Sequence, residues 1–234
     1  MKSFSLLNTS WFTISSSHLY PVLSVPYIEY QKGTLAKKLA KLLNYDHLDS
    51  GLLYRILAYE FLNLNEDFKK LVKIDIDLNI FLEKKKIKKM NLRSSKITKV
   101  SSEIAKLKFV RQKLISLQRK FANYPPNGIG SVIDGRDITS VITPNAEIKF
   151  YIDADIKIRA ERRLSQLDLP KNSYNRVLEE LIQRDLQDKK RKISPLIQTE
   201  DSHYIDTSKI NESEVLAKAI DYIKKKQILF IDCI

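Results

Sequence analysis

Ile129-Gly130-Ser131-Val132-Ile133-Asp134-Gly135-Arg136-Asp137 reads as a short apolar strand that runs straight into charged side chains. Residues 129–134 are enough for a strand and too few for a helix. A charged cluster at the end of an apolar strand is expensive to bury unless it faces a cleft. Asp134, Arg136 and Asp137 are therefore candidate site residues rather than an ordinary surface turn. Upstream, Pro125-Pro126-Asn127-Gly128 is a strong break. Downstream, residues 148–152 form a second short strand, followed by a helix over 154–167 whose start carries Asp153 and Asp155, suited to the helix dipole.

The same alternation extends outward. Residues 33–44 place Leu35, Leu39, Leu42 and Leu43 on one face and Lys37, Lys38 and Lys41 off it, an amphipathic helix. A short strand at 45–48 precedes a helix at 51–63. Two helices are expected at 95–106 and 109–123, a charged helix at 174–190, a last strand at 203–205 and a last helix at 212–225. Residues 74–82 alternate Ile74, Ile76, Leu78, Ile80 and Leu82 with mostly polar neighbours, a half-exposed strand with a return starting at Ile87. Short strands alternating with helices predict an α/β fold with a parallel sheet, whose ligands gather at the carboxyl ends of the strands.

At 234 residues and 43% hydrophobic content the chain suits one packed domain with a small appendage. Its net charge of +13 calls for anionic partners: nucleic acid, a membrane surface or phosphorylated small molecules. Lysines carry most of it, in runs such as Lys84-Lys85-Lys86 and Lys224-Lys225-Lys226, and such runs are usually solvated faces. No recognised nucleic-acid motif or interleaved surface aromatics accompany them, so a nucleic-acid partner ranks last. No apolar run approaches the ~20 residues that span a bilayer, and no membrane partner is expected. The one cysteine, Cys233, cannot form an internal disulfide, which fits a cytoplasmic protein. A monomer is expected.

Three further constellations carry chemistry. Lys32-Gly33-Thr34 at a helix start has the form of the tail of a phosphate-binding loop: Lys32 would reach phosphate oxygens and the Thr34 hydroxyl would ligate Mg²⁺. As a tripeptide it also suits an ordinary helix start. Leu48-Asp49-Ser50-Gly51-Leu52-Leu53-Tyr54-Arg55 follows a strand, with a hydroxyl for a base or phosphate and a guanidinium fork for phosphate; a capping serine and an exposed arginine would serve equally well. Arg184, Asp188 and Arg191 fall at i, i+4 and i+7, on one helical face, as a phosphate clamp or as a solvated ion-pair helix.

Taken together, Leu-Asp-Ser-Gly with Tyr54-Arg55, Asp134-Gly135-Arg136-Asp137 running on to Thr143-Pro144-Asn145-Ala146, the Gln118-Arg119-Lys120-Phe121 helix, and Arg184-Asp185-x-x-Asp188-x-x-Arg191 with Pro195-Leu196 resemble the bacterial cytidylate kinases. The resemblance spans roughly residues 32–226 and is specific as a set. It implies a P-loop nucleoside monophosphate kinase fold, with a parallel sheet core, a small insert near 66–92 and a helical lid near 170–196. It implies transfer of a phosphoryl group from ATP, with Mg²⁺, to CMP or dCMP. By the same resemblance Lys32, Gly33 and Thr34 end the ATP loop. Ser50, Ser102, Arg111 and Asp137 recognise the base or ribose and the monophosphate, and Tyr54 and Arg55 lie at the CMP phosphate. Arg184, Asp188 and Arg191 belong to the lid and face substrate and transition state. Arg136 and Arg93 lie in matching segments.

One stretch departs from the family pattern. Where the family's loop is glycine-rich, this chain reads Pro26-Tyr27-Ile28-Glu29-Tyr30-Gln31, and all five glycines lie at or beyond residue 33. A cradle of backbone N–H groups needs positive φ angles that Ile and Tyr resist, and Pro26 has no N–H. Residues 1–31 are therefore set apart as an atypical segment, of the kind a shifted reading frame or a wrong start would leave, and 227–234 as a tail. A CMP-binding protein with an impaired ATP site stands as the alternative.

Overall fold

In a computed structural model, residues 22–26, 32–65, 67, 70–71, 90–92 and 94–231 are described. Five strands form one parallel sheet in the order β2-β3-β1-β4-β5. These are β1 (Val22–Pro26), β2 (Asp46–Asp49), β3 (Ser131–Gly135), β4 (Ile148–Asp153) and β5 (His203–Asp206). Successive strand residues point to opposite faces. Val22 and Ile133 enter the core on one side, with α2 (Ser50–Asn63), α3 (Ser95–Ile104) and α4 (Lys108–Asn123). Leu23, Val132 and Phe150 enter the other, with α1 (Lys32–Leu43) and α7 (Glu212–Ile231). The result is a three-layer α/β fold around a parallel sheet, as the alternation of elements predicts.

The central strand, Val22–Pro26, lies in the stretch set apart as atypical, ahead of the expected start of the kinase domain at residue 32. β1 pairs in register with β3, Val22 with Ser131 through Pro26 with Gly135, and with β4 at Leu23 and Ser24. The core therefore begins ahead of residue 32, and the change of texture there is not a domain edge. The reason is that a short strand buried on both faces shows no period-two alternation. The strand expected at 74–82, its return at Ile87, Arg93 and loop residues 27–31 lie outside the described residues.

The remaining pair, α5 (Ile156–Gln166) and α6 (Tyr174–Lys190), packs through a small apolar seam of Ala160, Val177 and Leu181. Asp155 caps α5, accepting from the Lys157 N–H at 2.8 Å. Asp153 instead closes β4, accepting from the Ala154 N–H at 2.7 Å.

Candidate active site

At the carboxyl ends of β2 and β3 the chain turns into helices that begin with the candidate side chains. Asp49 caps α2 through the Leu52 N–H at 3.1 Å and holds Arg55 at 3.0 Å, so one carboxylate both starts the helix and aims the guanidinium. Ser50 is buried at the head of α2 and packs on Gly135, where an added methyl would collide with the Ser50 hydroxyl and with Ile138. Glycine at 135 is a requirement of this close approach. Beyond β3 the backbone forms a single π-helical turn, Ile138–Ile142, a feature frequent at functional sites. Arg119 on α4 secures its end, donating to the carbonyls of Val141 at 2.7 Å and Ile142 at 3.2 Å.

The turn opens with Asp137, which pairs with Arg111 at 2.9 Å; both side chains are almost completely buried. Arg111 also donates to the Ala105 carbonyl at 2.7 Å and lies over the Tyr54 ring, 5.9 Å from its centroid. Burial pushes the Tyr54 hydroxyl up to about 12 against the opposing pull of Arg111, so it stays a neutral donor. Next to this pair, Asp188 on α6 is bonded to Arg136 and, at 3.4 Å, to Arg191. Burial, and then the neighbouring Arg111, lower the pKa of Arg191, with Arg136 adding to the effect. Nη2 of Arg191 is buried with no partner among the described residues. Three guanidinium groups thus converge around two carboxylates, Asp137 and Asp188, and the surplus positive charge favours a bound anion.

Arg191 reaches this cluster by a different route from the one its spacing predicts. α6 stops at Lys190, and Arg191 has an extended backbone, φ −64° and ψ 138°. Its side chain donates to the Ser194 carbonyl, while the Leu196 N–H closes onto the Asp188 carbonyl at 2.8 Å. The i+7 helical face is therefore replaced by a folded-back cap, with Ser194 at φ 53°. Arg184 lies half-buried on α6, one turn before Asp188.

Lys32 and Gly33 open α1, with Thr34 half-buried in its first turn. Nearby in the sheet, Asp134 is paired across from Val25 of β1 and is fully buried. One of its oxygens is bonded to His47 Nε2 at 2.9 Å; the other, Oδ2, has no partner among the described residues. Ser102 turns its hydroxyl back to the Thr98 carbonyl at 3.2 Å, away from any hydrogen bond to the arginine cluster among the described residues. The structure thus brings together Tyr54, Arg111, Arg136, Asp137, Asp188 and Arg191, and seats Ser50 against Gly135 and Arg55 on Asp49. Sequence reasoning placed Asp134 at the cleft without assigning it a role, and assigned none to Asp49. Their signal was present, an acid at each strand's end, since strand-end charge in an apolar run is seldom idle.

A family model for cytidylate kinase matches residues 30–225. The chain belongs to the cytidylate kinase family. Members of that family are ATP-dependent phosphotransferases, and the kinase expectation from sequence holds at that level. It is 33% identical to the cytidylate kinase of Paramagnetospirillum magneticum, over 84% of this chain and 93% of the relative. It is 38% identical to that of Bartonella bacilliformis (82% and 88%) and 36% identical to that of Neisseria meningitidis (83% and 92%). A solved structure of an uncharacterized protein from Eubacterium ventriosum matches the fold with a TM-score of 0.52 at 16% identity, covering 87% of this chain and 98% of that one. No helix among the described residues is long and apolar enough to cross a membrane.

Proposed function

We propose that this chain transfers the γ-phosphoryl group of ATP to CMP or dCMP. The observation that carries the reading is the convergence of Arg111, Arg136 and Arg191 on Asp137 and Asp188, with Arg191 Nη2 left for an anion. Arg55 would hold the CMP phosphate from the α2 side. Arg136, Arg184 and Arg191 would balance the charge spread over the transferring group. The accepting phosphate oxygen is already anionic, so no general base is required. Ser50, Ser102, Arg111 and Asp137 would meet the base and ribose, and Arg93 would join them from outside the described residues. Lys32, at the first position of α1, would meet ATP phosphate with Gly33 and Thr34.

Mg²⁺ fits the residues present: the Thr34 hydroxyl and the orphaned, fully buried Asp134 Oδ2 are oxygen donors of the type it takes. These two residues would hold it, and it would neutralise charge on the ATP phosphates.

The alternative, a CMP-binding protein with an impaired ATP site, rests on the glycine-free stretch before residue 33. Calorimetric titration of CMP, AMP and ATP–Mg²⁺ separately, with a coupled turnover assay, distinguishes the two. The kinase reading expects CMP to bind at least tenfold more tightly than AMP, since unpaired buried polar groups penalise the wrong base. Equal binding of AMP and CMP would remove the substrate assignment.

A further inference from the structure

Asp185 stands inside the charged motif of α6 yet points away from the arginine cluster: it pairs with Arg159 of α5 at 2.6 Å. The Arg159 side chain is 5% exposed and that of Asp185 is 18% exposed. Arg159 is also bonded to the end of the sheet, its Nε donating to the Ala154 carbonyl at 3.0 Å just past β4. Asp153, at the last position of β4, faces the same group; burial raises its pKa, Arg159 and Lys189 oppose the rise, and Asp185 adds to it. Three residues on, Asp188 binds Arg136 and Arg191. One rigid chain of contacts therefore runs from the sheet through Arg159 and Asp185 to the face of α6 that carries the phosphate-directed groups.

The apolar seam between α5 and α6 has three buried residues, Ala160, Val177 and Leu181, with Ile156, Leu164, Leu169, Tyr174 and Leu178 only partly buried against them. Apolar contacts that are mostly half-exposed are non-directional, whereas a planar guanidinium held at Nε by the Ala154 carbonyl and at Nη2 by Asp185 fixes both distance and direction. We propose that Arg159 and Asp185 are positioning residues for phosphoryl transfer, their ion pair setting the register of α6 so that Asp188, Arg136 and Arg191 meet the reacting phosphates. This rests on the reading that α6 faces the nucleotide site.

Asp185→Asn keeps the shape of the side chain and removes its charge. Its kcat with CMP is expected to fall about tenfold to a hundredfold, the scale of a displacement near 1 Å, with KM for CMP moving less. Amide exchange over residues 174–190 should rise while residues 108–123 keep their protection. Arg159→Lys, which keeps the charge and loses the fork, should fall in between. The double variant should lose no more than the worse single, as expected of two groups acting as a unit. Wild-type kcat in Asp185→Asn overturns the proposal, whether or not exchange changes, and so do fully additive losses in the double variant. No CMP turnover by the unsubstituted chain would overturn the kinase reading instead. In that case unchanged exchange over 174–190 in Asp185→Asn would separately overturn the register role of the pair.

Discussion

Beyond the carboxyl end of β3 an anion would be met by side chains, beyond that of β1 by backbone. Around Asp137 and Asp188 the positive charge comes from Arg111, Arg136 and Arg191, each fixed by a carboxylate or carbonyl. At the start of α1 the donors would be N–H groups of a helix terminus, with Lys32 and Thr34 beside them. The first kind of site is written in residues that are present. The second is written in residues with no side chain, and the stretch 26–31 contains none of these. A side-chain site therefore survives changes in its neighbours, whereas a backbone site depends on every residue of its loop.

The largest effect should come from breaking the buried pair. Arg111→Met leaves Asp137 charged and unpartnered and should lower unfolding stability by about 3–5 kcal/mol, read by urea denaturation, and abolish CMP binding. Adding Asp137→Asn should restore part of the stability and none of the binding. If both recover together, the pair serves packing alone.

The contrast between the two ends is tested next by replacing residues 26–31 with a glycine-rich loop. Turnover of CMP should rise about 100-fold or more, the effect of regaining a well-placed oxyanion donor. Equal rates would mean that the phosphate is held without glycine geometry, and the distinction between the two ends would collapse.

Arg55→Ala should weaken CMP binding by about 1.5–3 kcal/mol, the range for a charged hydrogen bond, measured by calorimetry. ATP binding should be unaffected. An unchanged CMP affinity would detach the α2 end from the substrate site.

The smallest expected effect lies far from both sites. His203 stacks on Tyr222, with centroids 4.0 Å apart, and burial, then Lys218 and Lys225, hold its pKa below its usual 6.5. A group whose folded pKa is depressed stabilises the protein above the unfolded value and withdraws that stability as pH falls. The melting temperature should therefore decline slightly below pH 6.5, and His203→Phe, which keeps the stack, should flatten that decline. An identical pH profile in both proteins would rule His203 out as its source.

The α/β class, the helix starts at Ser50 and Lys32, and the grouping of charged motifs were legible because each is local. Apolar periodicity gives the helices, and a charge abutting an apolar run, as at Asp134 to Asp137, gives the cleft. Central strand β1 was not legible, since Val22, Leu23 and Ser24 are all buried in turn, with no alternating pattern to betray the strand. The spacing of Arg184, Asp188 and Arg191 determined that they would lie near one another; only tertiary structure decided that α6 would end at Lys190 and that Arg191 would fold back onto Ser194. Likewise the residue types of Arg111 and Asp137 were in the sequence, but their pairing across 26 positions needed α4 and β3 to pack side by side. Periodicity and strand-end charge act over a few residues and are written in the chain. Ion pairing between distant segments depends on which surfaces exclude water together, and that is settled only when the sheet and its helices close.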